Sequence, residues 1–96
     1  MALKRRNTAP QKIYVQVNSD IGISGFMTPK SILWRDGRIF KIDSISDYRP
    51  AIGEAETLPG DRYTVDINGK TRYLYFESGA KMHPICFGRW FVLVNN

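Results

Sequence analysis

The clearest pattern of apolar and polar positions in the chain is a pair of β-prone runs that flank Asn68-Gly69. Asn and Gly both tolerate the positive φ that a two-residue type I′ turn requires, so residues 62–77 are predicted to form a β-hairpin. A two-residue turn pairs Val65 with Arg72. A three-residue loop with Gly69 in the bulge position would shift that pairing by one residue. The two-residue register is favoured because it separates apolar from polar side chains better.

In the favoured register the hairpin has one apolar face and one polar, basic and aromatic face. The apolar face, which is predicted to lie in the core, holds Tyr63, Val65, Ile67, Leu74 and Phe76. The opposite face, which is expected to contact solvent, brings together Arg62, Tyr73 and Tyr75.

Two further regions have strand patterns. Residues 12–18 alternate between apolar and polar side chains, which predicts a half-buried strand. Residues 30–35 and 38–44 are predicted to form a second hairpin, with Arg35-Asp36-Gly37 as a three-residue loop. That loop is favoured because a two-residue turn would scatter the apolar side chains over both faces. With it, the inward face holds Ile32, Trp34, Phe40 and Ile42.

The remaining chain contains a predicted loop and a strongly apolar strand. Residues 46–60 are rich in Gly, Pro and Asp and are predicted to form a long loop, which is either functional or a surface excursion with no role. Trp90-Phe91-Val92-Leu93-Val94 is apolar on both faces, which is typical of a strand that is covered on both sides.

Six or seven short strands with closely spaced turns predict an all-β fold, a small SH3-like or OB-like barrel built from hairpins. The length of 96 residues fits one domain. Residues 1–11 are predicted to be a flexible basic N-terminal arm, and residues 12–96 a single β-barrel domain.

Composition and charge exclude some classes of protein. No apolar run approaches the roughly 18 residues that a transmembrane helix needs, so no membrane association is expected. The basic N-terminus lacks the apolar region of a secretory signal. The single cysteine, Cys86, cannot form an internal disulfide, which predicts a cytoplasmic location. The net charge of +5 is mild, and Lys4, Arg5 and Arg6 of the arm contribute part of it.

The chain has no motif that indicates catalysis or a bound cofactor. His83 and Cys86 are three residues apart, but no second Cys or further His completes a zinc site. No glycine-rich phosphate loop and no oriented pair of carboxylates is evident. We therefore expect a loop histidine, a structural thiol, and a protein that is not an enzyme and holds no metal or cofactor.

The outer face of the central hairpin leaves three alternatives open. Arg62, Tyr73 and Tyr75 could stack bases and hold phosphates, with Lys4, Arg5 and Arg6 as an electrostatic tether. The same side chains are also typical of protein interfaces, including self-association. In the third alternative, another strand or the long loop covers the tyrosines.

Residues 32–42, Ile-Leu-Trp-Arg-Asp-Gly-Arg-Ile-Phe-Lys-Ile, together with residues 61–76 and Arg89-Trp90-Phe91, resemble a family of small uncharacterised bacterial β-barrel domains. Related domains occur as C-terminal modules of some Y-family DNA polymerase relatives. The resemblance covers roughly residues 29–94 and transfers no functional residue. It implies a bacterial cytoplasmic accessory module.

The sequence thus predicts a non-enzymatic binding or accessory module, with protein–protein interaction as the leading function. Nucleic-acid binding through the basic aromatic face is the alternative.

Overall fold

The computed structural model describes residues 10–51, 58–78 and 88–95, and these residues form seven antiparallel strands and no helix. The strands are β1 (Gln11–Ile21), β2 (Met27–Leu33), β3 (Ile39–Lys41), β4 (Ser44–Arg49), β5 (Asp61–Ile67), β6 (Lys70–Ser78) and β7 (Gly88–Val94). Their order in the sheet is β3-β2-β1-β7-β6-β5-β4. The described residues therefore contain no helix that could cross a membrane.

The central hairpin joins β5 to β6 in the two-residue register that the sequence predicts. Val65 pairs with Arg72, and Ile67 pairs with Lys70 next to the turn. Asn68 and Gly69 have φ values of 52° and 78°, as a type I′ turn requires. The favoured pairing is confirmed.

The hairpin between β2 and β3 also has the predicted three-residue loop. The Trp34 backbone N–H donates to the Arg38 carbonyl at 2.8 Å, and Ile32 pairs with Phe40. Gly37 takes a φ of 95°, a left-handed conformation that favours glycine at the end of such a loop.

The sheet curls because its two edge strands are adjacent in sequence. The Ile42 N–H donates to the Lys30 carbonyl on β2, whereas the Asp43 N–H donates to the Asp66 carbonyl on β5. Consecutive residues thus join opposite edges of the sheet, which forms a curled half-barrel. The predicted all-β, small barrel-like fold is confirmed.

The core lies on the concave face of the sheet. Most of the side chains that the sequence predicts to be buried are buried there, but some are not. Ile32, Ile42, Tyr63, Val65, Leu74 and Trp90 are buried there. Trp34 and Phe40 were also predicted to be buried, but both are only half-buried. The prediction is wrong for these two side chains because they line a cavity that is open to solvent.

Strand β4 corrects the predicted loop at residues 46–60. Ser44–Arg49 pairs with β5, so the first part of that loop is a strand. A register irregularity between Ile45 and Asp47 accommodates Ser46 as an extra residue. The half-buried side chains Ile45 and Tyr48 are therefore three residues apart instead of two, which hides the alternation of a strand.

Three sequence predictions fall on residues outside the described part of the chain. They are the flexible arm with Lys4, Arg5 and Arg6, the chemistry of His83 and Cys86, and the middle of the 46–60 segment.

Candidate functional site

The pairing of β6 with β7 covers only one end of the two strands. Four residue pairs join them, from Ser78 with Gly88 to Tyr75 with Phe91. Beyond Phe91, β7 continues beside β1, where Val92 pairs with Ile13. On the other side, β6 continues beside β5 as far as Lys70. The two strands therefore separate, and we call the space between residues 70–74 and 92–95 the cleft.

The separation leaves backbone groups of β6 without a strand partner in the part of the chain that the structure describes. The turn hydrogen bond joins Lys70 to Ile67, and the alternation of an antiparallel ladder then directs the backbone groups of Arg72 and Leu74 toward β5. The backbone groups of Thr71 and Tyr73 point to the opposite side, toward the cleft. No strand among the described residues pairs with that side of β6 at these two positions.

The cleft opens into a cavity of about 880 Å³ inside the half-barrel. Apolar side chains of five strands and of the β2–β3 hairpin form much of its lining: Ile32, Trp34, Phe40, Val65, Ile67, Leu74, Val92 and Val94. The cavity is within the size range of ligand-binding pockets, and it is mainly apolar as such pockets are.

The charged part of the described lining is cationic. It includes Arg38, Lys70 and Arg72 and no carboxylate. Arg38 is already paired, because its guanidinium Nε lies 2.7 Å from the Asp36 carboxylate at the edge of the cavity. Hydrogen bonds from the Arg38 backbone N–H and guanidinium hold the pKa of Asp36 below its usual value. Lys70 and Arg72 have no acidic partner among the residues described.

The predicted binding residue Tyr75 does not lie on an exposed face. Its side chain is 6% exposed, and its ring stacks on Phe91 at 5.1 Å with an interplanar angle of 6°. The Tyr14 ring meets the same Phe91 edge-on at 5.8 Å. The expectation that Tyr75 contacts solvent is therefore wrong. The alternative in which another strand covers the tyrosines holds for Tyr75, because side chains of β1 and β7 complete a second, smaller aromatic cluster on the convex face.

Tyr73 and Arg62 do lie together on that face, as predicted. Tyr73 is 49% exposed, and the Arg62 guanidinium lies 4.7 Å from the centre of its ring. This distance fits a cation–π contact, which covers one face of the ring. Tyr73 also lines the cavity, so the pair stands at the convex side of the cleft.

A network of charged and polar side chains around Glu77 borders the aromatic cluster at the joined end of β6 and β7. Glu77 accepts a hydrogen bond from the Tyr14 hydroxyl at 2.9 Å and one from the Lys12 ammonium at 3.2 Å. Arg89 lies 3.6 Å from the same carboxylate. The Tyr14 hydrogen bond, followed by the Lys12 contact, lowers the pKa of Glu77. This network holds β1, β6 and β7 together where Tyr75 is buried.

The described residues contain no group of three or more His, Cys, Asp or Glu side chains that could hold a metal ion. The geometry combines an apolar cavity, a cationic rim and one strand edge that is open among the described residues.

Sequence reasoning did not identify the cleft, although one signal was present. The favoured register places Lys70 opposite Ile67 and Arg72 opposite Val65, so two cations stand on the apolar face at the turn end of the hairpin. Cations on a core face mark a place where the core meets solvent.

Comparisons with protein-family models, curated proteins and solved structures found no significant match to this chain.

Proposed function

We propose that this protein is a non-enzymatic binding module that acts through contact with another protein at the cleft. The observation that carries the proposal is the separation of β6 from β7, which combines an open strand edge with an apolar cavity. Open strand edges and hydrophobic pockets are the two features that peptide-recognition domains use together. A bacterial cytoplasmic setting, which the sequence resemblance implies, is part of this proposal.

The nucleic-acid alternative has weaker support. Stacking of successive bases needs several open aromatic rings, but Tyr75 is buried beneath Phe91. Tyr73 is the aromatic side chain that stays open in the predicted set, and Arg62 covers one of its faces. One half-open ring with one guanidinium fits a protein contact better than a track for single-stranded nucleic acid.

Site-specific photocrosslinking in living cells tests the proposal. A photoreactive phenylalanine at Tyr73 should form an adduct with a polypeptide, because Tyr73 borders the cleft and is 49% exposed. Ile23 is the matched control: it is fully exposed in the turn between β1 and β2 and does not line the cleft. Polypeptide adducts at position 73 and none at position 23 would support the proposal.

A second measurement separates the two candidate functions. Fluorescence anisotropy with a labelled single-stranded oligonucleotide at low salt should show no effect of Tyr73→Ala. A loss of about tenfold or more in affinity would instead indicate base stacking on Tyr73. Nucleic-acid adducts at position 73 together with that loss would contradict the proposed function.

A further inference from the structure

We infer that the cleft recognises its partner by β-strand addition, in which an extended acidic segment pairs with the Thr71–Tyr73 edge of β6. The inference rests on the proposed function and names the class of partner: an extended segment with apolar residues followed by acidic residues. Its three supports are the backbone geometry of β6, the shape of the cavity and the charge of the rim.

The backbone of β6 provides the pairing edge. The N–H and C=O groups of Thr71 and Tyr73 point into the cleft and have no strand partner there among the described residues. An added strand would satisfy these four groups, which is how strand addition supplies main-chain affinity. Antiparallel pairing is expected because it is slightly more stable per residue than parallel pairing.

The concave side of the cleft supplies side-chain pockets. A strand beside β6 would direct every second side chain to this side, next to Leu74, Arg72 and Lys70 in turn. Leu74 is fully buried and borders the apolar cavity, whereas Arg72 and Lys70 are exposed at its mouth. An antiparallel partner would therefore place apolar side chains first and acidic side chains later along its own direction.

Charge complementarity selects an acidic partner over a second copy of this chain. Two copies that paired their β6 edges about a two-fold axis would bring Arg72 and Lys70 of one chain close to those of the other. Like charges on neighbouring strands are destabilising. The chain as a whole also carries a net charge of +5, which disfavours self-association at this edge.

The test uses a synthetic peptide, Thr-Ile-Thr-Ile-Thr-Glu-Thr-Glu, and the full-length protein. Amide hydrogen exchange should slow at Thr71 and Tyr73 when the peptide is added, because these N–H groups become bonded. A peptide with lysine in place of glutamate is the charge control and should bind at least about tenfold more weakly. Slowed exchange at both amides, with this charge preference, would support the inference.

Backbone methylation of the peptide distinguishes strand addition from simple charge attraction. In the antiparallel register the last two threonines of the peptide lie opposite Tyr73 and Thr71 with their N–H groups toward β6, so N-methylation of these two threonines should weaken binding by about tenfold or more. N-methylation of the isoleucines, whose N–H groups face away from β6, is the matched control. Equal effects of the two modifications, or a stronger effect at the isoleucines, would overturn pairing with β6.

Variants of the protein give an independent test. The double variant with Arg72→Glu and Lys70→Glu should no longer bind the glutamate peptide and should bind the lysine peptide instead. Binding of the lysine peptide requires that the variant is folded and that its charge preference is reversed. Concentration-dependent protection of Thr71 and Tyr73 without peptide would assign the edge to a second copy and overturn the inference. Polypeptide crosslinks at Tyr73 with no peptide binding would overturn strand addition and leave the proposed function intact.

Discussion

The two ends of β6 differ in what lies beside them. From Tyr75 to Ser78 the strand is joined to β7, whereas from Lys70 to Leu74 its only strand partner among the described residues is β5. Tyr75 and Tyr73 show the consequence, because they point to the same face two residues apart and are 6% and 49% exposed. Exposure along one strand therefore depends on the path of its neighbour.

The curl of the sheet accounts for the difference. A half-barrel needs its strands to twist and bend. At the joined end, the stack of Tyr75 on Phe91 and the Glu77 network hold β7 against β6. At the other end, β7 follows β1 and β6 follows β5, so the two strands diverge.

Hydrogen exchange should show the largest difference between the two ends. The amides of Tyr75 and Glu77 are bonded to β7, while those of Thr71 and Tyr73 face the cleft. In the free protein we expect exchange to be about a thousandfold slower or more at the bonded pair, since core strands open only with much of the fold. Exchange resolved by NMR measures this, and equal protection at all four amides would show that the cleft is closed in solution.

Truncation of a β7 side chain should lower the free energy of unfolding more at the joined end than beside the cleft. Phe91 is fully buried at the joined end, so Phe91→Ala is expected to lower the free energy of unfolding by ~3–5 kcal/mol. Leu93 is half-buried beside the cleft, so the control Leu93→Ala should cost clearly less. Urea denaturation of both variants measures the difference, and similar costs would contradict the contrast between the ends.

A methyl group added at the joined end tests how tightly the strands pack. A Cβ at Gly88 would lie 2.7 Å from the Glu77 carbonyl oxygen and would collide with the Phe76 ring. We expect Gly88→Ala to cost ~1–3 kcal/mol in thermal or chemical denaturation.

Gly22→Ala is the matched control for this substitution. A Cβ at Gly22 meets nothing within 4 Å, so its stability should be unchanged or slightly raised. If both variants have the same free energy of unfolding as the parent protein, that result would contradict close packing of Gly88 against Phe76.

The smallest expected effect concerns the pH dependence at the joined end. The pKa of Glu77 is below its ordinary value of 4.5, so its ionised form stabilises the fold above that pH, and this contribution is lost as the pH falls through the lowered pKa. Glu77→Gln should destabilise the protein by under about 1 kcal/mol at neutral pH, and the difference should vanish in acid.

Denaturation of the parent and the variant at neutral and acid pH measures this effect. The control Asp20→Asn removes an exposed carboxylate 3.8 Å from Lys30 and should change stability less. A Glu77→Gln cost that persists unchanged in acid would show that the carboxylate charge does not stabilise the joined end.

The local features of this protein follow from its sequence. The turn residues Asn68-Gly69 fixed the pairing of β5 with β6, because positive φ values and the separation of apolar from polar side chains agree on one register. The Arg35-Asp36-Gly37 loop fixed the second hairpin in the same way. The apolar stretch 90–94 correctly indicated a strand, but only Trp90 and Phe91 are buried, and Val94 at the end of β7 is exposed.

Which of these surfaces are covered depends on contacts between strands that are distant in the sequence. Tyr75 is buried because Phe91 of β7 lies beside it, and this pairing joins residues whose separation in the chain leaves no local signal. Strand β4 escaped prediction because one extra residue at Ser46 interrupts its alternation. The cleft arises where β6 and β7 follow different neighbours, and the order of strands in a curled sheet depends on the packing of the whole chain rather than on the pattern of any one segment.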